Sequence, residues 1–71
     1  MSEPTPVRVE AYAGASYPQR PTAVWIDDRR LEVQEVIRQW RTPDALHFLV
    51  EVEELARAEL IYRNDTWLIS F

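Results

Sequence analysis

The sequence predicts an all-β domain, either a strongly bent antiparallel sheet or a small SH3-like barrel of about five to six strands. Two observations lead to this prediction. Two stretches place apolar residues on one face when they are paired across a two-residue turn, and other runs alternate apolar and polar residues with period two. A length of 71 residues allows one domain. An α+β fold with a helix over 31–40 is the alternative.

The N-terminal part differs in composition from the rest of the chain. Residues 1–21 contain four of the five prolines and the only glycine. Alternation over 7–13 predicts a first strand within this segment, followed by a connecting loop over 14–20. We therefore divide the chain into a Pro-containing N-terminal segment, 1–21, and a small β domain, 22–71.

The first hairpin is predicted from strands over 22–27 and 30–40. With Asp28-Arg29 as its turn, Ile26 pairs with Leu31, and one face is apolar throughout. The second strand also carries a helical stripe, because apolar residues recur at i, i+3, i+4 and i+7 from Val33. A bulge near Glu35-Val36 would reconcile this spacing with a strand, and we favour that interpretation over the helix.

A third alternating run predicts a strand over 46–53, and the helix-forming residues of 53–56 predict one helical turn after it. The C-terminal hairpin follows, with strands over 58–63 and 66–71 and Asn64-Asp65 as its turn. Its apolar face would pair Tyr62 with Trp67, Leu60 with Ile69, and Ala58 with Phe71. The predicted core consists of the inward apolar residues of these hairpins and strands: Val24, Ile26, Leu31, Val33, Phe48, Val50, Leu60, Tyr62, Trp67 and Ile69.

The composition excludes several kinds of chemistry. The chain has no cysteine, one histidine and one glycine, so thiol catalysis, multi-histidine metal centres and glycine-rich phosphate loops are ruled out. The acidic pairs Asp27-Asp28 and Glu53-Glu54 are interpreted as solvated turns. His47 is interpreted as a surface histidine, with Glu51 on the same face but four positions away. We expect no enzymatic activity, no cofactor and no metal.

The candidate binding residues are two tryptophans and two arginines. Trp25 would face away from the core, and Trp40 lies between Arg38 and Arg41. Aromatic rings beside arginine are typical of protein interfaces and of platforms on which single-stranded bases stack. The alternative is that the indoles complete a small core. Twelve acids against eight arginines give a net charge of −4, which opposes nucleic-acid binding. We therefore favour association with a protein partner or a second copy.

The segment from Val24 to Trp40 combines an aromatic strand, a short turn, two arginines and a Val-x-Glu-Val-x-x-x-Trp tail. Together with Glu59–Asp65 and Trp67–Ile69, it resembles a small bacterial domain family of unknown function. Members of that family stand alone or beside Y-family-DNA-polymerase-like proteins, which implies an accessory role in DNA-damage tolerance as the alternative function. The resemblance covers 20–71 and assigns no site residue. This chain departs from the family pattern in lacking a glycine in the first turn. No leader or membrane-spanning run is visible, so we expect a cytoplasmic protein.

Overall fold

The computed structural model describes residues 3–12 and 20–71, which form one antiparallel sheet of seven strands and contain no helix. The all-β prediction is confirmed, with one strand more than expected. Because no helix is present there, none could span a membrane. The strands are β1 Thr5–Pro6, β2 Arg8–Tyr12, β3 Arg20–Ile26, β4 Arg29–Arg41, β5 Leu46–Val52, β6 Ala56–Arg63 and β7 Thr66–Ser70.

The two N-terminal strands form the two edges of the sheet. The strand order is β1-β7-β6-β5-β4-β3-β2, so β1 pairs with β7 while β2 pairs with β3. Val7 lies between β1 and β2 and donates its backbone N–H to the carbonyl of Trp67 at 3.0 Å. The predicted strand over 7–13 thus corresponds to β2, and β1 is an additional short strand before it. Ala13 and most of the predicted loop over 14–20 lie outside the described residues.

β4 is strongly bent. It has 13 residues, which in a straight strand would span about 40 Å, whereas the longest dimension of the molecule is 29 Å. Its pairing with β5 shifts register between Val33 and Glu35, and again between Val36 and Arg38. These irregularities confirm the predicted bulge, and the helix over 31–40 is wrong. The extra residues set the inward positions Val33, Val36 and Gln39 three apart instead of two, which explains the spacing of Val33 and Val36, whereas Ile37 is exposed and Trp40 lies on the outer face.

The first hairpin turns one residue earlier than predicted. Val24 pairs with Leu31 and Ile26 with Arg29, which leaves Asp27-Asp28 as the turn. Both aspartates have positive φ, 51° and 66°, as a type I′ turn requires. Aspartate tolerates this region better than arginine does, so the predicted turn at Asp28-Arg29 is wrong. Each residue's partner moves by two positions, and the apolar face is therefore unchanged.

The C-terminal hairpin has the predicted register. Tyr62 pairs with Trp67 and Leu60 with Ile69, and Asn64 and Asp65 both have positive φ in the turn. The predicted pair of Ala58 with Phe71 does not form. β7 ends one residue before Phe71, whose side chain is 69% exposed.

The connection between β5 and β6 is a β-turn and not the predicted helical turn over 53–56. The Leu55 N–H donates to the Val52 carbonyl at 3.1 Å, and Glu54 has a positive φ of 69°. β6 begins at Ala56, two residues earlier than predicted, and pairs without interruption along β5. This continuous ladder overrides the helix propensity of the segment.

The core fills the concave side of the curled sheet. Of the ten predicted core residues, six are buried, and Ile26, Val33, Tyr62 and Trp67 are half-buried and pack against them. The prediction omitted several buried residues on β3, β5, β6 and β7, namely Ala23, Leu46, Val52, Ala58, Ile61 and Leu68. Ile61 and Leu68 alternate with the core residues Leu60 and Ile69, so they lie on the opposite, outer face of the sheet.

Candidate interaction surface

The structure divides the four predicted binding residues between two places. Trp25 lies on β3, opposite Arg30 at the start of β4. Trp40 lies ten positions further along β4, next to Arg38 and Arg41. The residues therefore do not form one site, and each tryptophan has its own surroundings.

Trp25 is held by a polar cluster that joins three strands. Its indole Nε1 donates to Glu10 Oε2 at 2.8 Å, and Arg30 Nε donates to the same oxygen at 3.1 Å. The Arg8 guanidinium lies over the indole, 5.0 Å from the ring centroid. The hydrogen bonds from Arg30 and Trp25 lower the pKa of Glu10, and the bond to Glu10 raises the pKa of Arg30. The polar edge of Trp25 is thus already used inside the domain.

Trp40 begins a row of side chains across the outer face of the sheet. The strand register places it beside His47, then Ile61 on β6 and Leu68 on β7. The indole stacks on the His47 ring at a centroid distance of 5.2 Å and an interplanar angle of 6°. The Arg38 guanidinium lies 5.3 Å from the indole centroid. We call Arg38, Trp40, His47, Ile61 and Leu68 the Trp40 surface.

Both nitrogens of His47 are hydrogen-bonded, which fixes the ring beneath Trp40. Nδ1 lies 2.9 Å from Glu59 Oε2, and Nε2 lies 3.1 Å from Thr42 Oγ1. A carboxylate only accepts, so Nδ1 carries a proton. Nε2 of the neutral ring accepts from the Thr42 hydroxyl. The Thr42 hydroxyl also lies 3.4 Å from the Ala45 carbonyl, so the loop after β4 holds it beside the ring.

A hydroxyl, an imidazole and a carboxylate in this order also occur in hydrolase triads, where backbone N–H groups stabilise the oxyanion. Here the N–H groups of Thr42 and Ala45 donate to each other's carbonyls at 2.9 and 3.3 Å. They are therefore not directed at a substrate. The arrangement supports a role for His47 and Glu59 in positioning Trp40.

The sequence did not identify Glu59 as the acidic neighbour of His47, since the predicted acidic neighbour was Glu51. Glu59 lies two residues before Ile61, the residue opposite His47 on β6, and so occupies a diagonal position on the same face. The alignment of β5 with β6 would have been needed to find it.

Two predicted arginines carry charge without an acidic partner. Arg29 and Arg30 are in ion pairs with Glu54 and Glu10, whereas Arg38 and Arg41 have no ion pair among the described residues. Arg41 lies opposite the buried Leu46, and so belongs to the concave side and not to the Trp40 surface. It lines a cleft of about 250 Å³ together with the 42–45 loop and Arg63.

The Trp40 indole also has an unused donor. Within the described part of the chain, Trp40 Nε1 has no hydrogen-bond partner, and no buried side-chain nitrogen or oxygen lacks one. Trp40 is half-buried, and its unbonded N–H is therefore among the atoms that solvent reaches. Trp25 Nε1 is bonded to Glu10, so Trp40 is the better placed of the two to bind an external group.

No known protein family, curated protein or solved structure matches this chain. The resemblance to the small bacterial domain family therefore stays a prediction. The proposal of a function therefore depends on the geometry and chemistry of the Trp40 surface. Among residues 3–12 and 20–71, no three histidine or acidic side chains are grouped so that they could hold a metal ion.

Proposed function

We propose that this domain is a non-catalytic protein-interaction module that binds its partner through the Trp40 surface. The observation that carries the proposal is the Trp40 indole, which is fixed by stacking on His47, while among residues 3–12 and 20–71 its N–H has no acceptor and the neighbouring Arg38 has no acidic partner. A rigid aromatic ring beside arginine is typical of the residues that dominate binding energy in protein interfaces.

The chemistry of the surface indicates what the partner presents. Ile61 and Leu68 are buried, so the accessible part of the Trp40 indole offers the apolar area, while Arg38 and the Trp40 N–H can bind acceptors. Arg38 gives this surface a positive charge without an ion pair among the described residues, and Glu59, an acid on the same face, is already bonded to His47. We therefore propose a partner segment with an apolar side chain next to a carboxylate. The proposal keeps the cytoplasmic location that the sequence predicts.

Selection from a displayed library of random peptides tests this proposal. We expect the wild-type domain to enrich peptides that combine an apolar and an acidic residue, and Trp40→Ala to weaken their binding at least about tenfold. Tyr12→Ala is the matched control, since Tyr12 is an aromatic residue on β2 with 68% exposure, away from the Trp40 surface. Enrichment of peptides that bind Trp40→Ala equally well would contradict the proposal.

The alternative is a single-stranded nucleic acid, because an indole beside Arg38 could also stack a base. Titration with fluorescent oligonucleotides at low and moderate salt distinguishes the two. The net charge opposes this ligand, and we expect no micromolar binding. Salt-sensitive micromolar binding that requires Trp40 would replace the protein partner with an oligonucleotide and support the accessory role in DNA-damage tolerance.

A further inference from the structure

We propose that two copies of this chain associate through β4, whose outer edges pair antiparallel about a two-fold axis at the Val36–Arg38 bulge. The contact joins two identical sheets into one continuous sheet. This inference goes beyond the proposed partner and requires no molecule other than the chain itself, although both proposals use Arg38.

The edge of β4 is open over much of its length. β3 pairs with β4 only from Arg29 to Glu32, whereas β5 pairs with the other side of β4 as far as Arg41. From Val33 onward, no strand among residues 3–12 and 20–71 pairs with the side that β3 leaves. A cleft of about 500 Å³ opens at this point, lined by 20–22 and 33–36. A long edge with unpaired backbone groups is a template for another strand.

The bulge places two opposite charges symmetrically on one face. Glu35 lies opposite Glu51, and Arg38 lies opposite Leu49. Glu51 and Leu49 are two residues apart on β5, so they share the outer face, and Glu35 and Arg38 must share it as well. In a regular strand, residues three apart would point to opposite faces. The extra residue, Ile37, removes that difference.

Antiparallel pairing about this bulge makes the edge self-complementary. A two-fold axis pairs residues that lie equally far on either side of it, so Glu35 of each copy faces Arg38 of the other. Neither residue has an ion pair among the described residues, and the cross-strand neighbour of Glu35 is the like-charged Glu51. The axis that pairs Glu35 with Arg38 lies between Val36 and Ile37, so Ile37 of each copy, which is 37% exposed, lies beside Val36 of the other. Glu35 and Arg38 thus supply two intermolecular ion pairs, and Val36 and Ile37 supply an apolar centre.

Charge exchange at these two positions tests the proposal by analytical ultracentrifugation. We expect the wild-type chain to form a concentration-dependent dimer. Glu35→Arg and Arg38→Glu should each weaken dimerisation at least about tenfold, because each places like charges opposite one another. The double variant Glu35→Arg/Arg38→Glu should restore the dimer. An equimolar mixture of the two single variants should form a heterodimer, since both of its facing pairs are then of opposite charge.

Asp44→Arg and Arg63→Glu are the controls, because they change charge by the same amounts at exposed positions away from this edge. Circular dichroism verifies that every variant folds. A wild-type monomer at all concentrations up to about 1 mM would overturn the proposal. A dimer that is unaffected by the single exchanges, or a mixture without heterodimer, would also overturn it. Peptide binding that requires Trp40 is measured separately, so either proposal can fail without the other.

Discussion

Single polar contacts distinguish the tryptophans of this domain. Trp25 and Trp40 both lie on β-strands beside arginines, yet in the part of the chain that the structure describes, Trp25 has an acceptor for its indole nitrogen, Glu10, and Trp40 has none. Glu10 also accepts from Arg30, so one carboxylate connects β2, β3 and β4. We infer that the charge of Glu10 contributes to the stability of the curled sheet, whereas Trp40 is held by stacking on His47 and by contact with Arg38.

The first prediction concerns the pH dependence that Glu10 confers. Its pKa in the folded protein is below the ordinary value of 4.5, so ionised Glu10 stabilises the fold above that pH. This contribution is lost as the pH falls through the folded pKa. Glu10→Gln should therefore be less stable than wild type at neutral pH, and the difference should shrink below about pH 4.5. Thermal unfolding at a series of pH values measures it.

Glu3→Gln is the matched control, because no side-chain contact involves the Glu3 carboxylate among the described residues. It should follow the wild type at every pH. A constant difference between wild type and Glu10→Gln from pH 7 to about pH 3 would show that the Glu10 charge is not the cause.

At the scale of the elements, the local sequence pattern predicted most of the strands. It did not predict features that depend on how separate strands align with each other. The C-terminal hairpin was predicted correctly because Tyr62, Trp67 and the Asn64-Asp65 turn lie within a few residues of each other. The first turn was misplaced because moving it by one residue preserves the apolar face, so sidedness alone could not select Asp27-Asp28. The contacts of His47 with Glu59 and of Trp25 with Glu10 join separate strands, and no local pattern encodes them.

The position of the first turn gives a second prediction. Asp28 has a φ of 66°, a region that glycine occupies without steric cost. We expect Asp28→Gly to stabilise the domain by up to about 1 kcal/mol, since Asp-Gly is a favoured type I′ pair. Arg29→Gly should destabilise it, because residue 29 belongs to β4 and its side chain pairs with Glu54 at 2.7 Å. Urea unfolding measures both variants, and the opposite order would return the turn to Asp28-Arg29.

The third prediction tests the central strand β6. Leu60 is fully buried between β5 and β7, so Leu60→Ala should cost about 2–5 kcal/mol of unfolding free energy. Ile37→Ala removes an aliphatic side chain from an exposed position and should cost about 0.5 kcal/mol or less under monomeric conditions. Denaturant unfolding at low protein concentration compares the two. Equal costs would mean that the faces of the sheet are wrongly assigned.

On the scale of the whole molecule, the N-terminal segment forms part of the sheet. β1 pairs with β7 and β2 pairs with β3, so the described part of 1–21 supplies the strand at each edge of the sheet. Val7 and Val9 also pack against the core. The composition suggested a boundary at residue 21, but it could not show which strands the segment would meet.

The fourth prediction follows from this closure. A truncated chain that begins at Thr22 would lose β1 and β2, exposing Val24 and the edges of β3 and β7. A domain of this size has little stability to lose. We expect the truncated chain to be largely unfolded by circular dichroism at 25 °C, where the full chain is folded. Cooperative unfolding of the truncated chain with the midpoint of the full chain would establish 22–71 as an independent domain.

The central claim is that Trp40, and not Trp25, binds the partner. The most direct measurement is a two-dimensional nitrogen–proton NMR titration of the domain with a peptide enriched by selection, following the indole N–H signals. We predict that the Trp40 signal shifts progressively as the peptide is added, because its N–H is free to donate. The Trp25 signal should stay in place, because the Trp25 N–H keeps its hydrogen bond to Glu10. A peptide that shifts the Trp25 signal and leaves that of Trp40 unchanged would contradict the account.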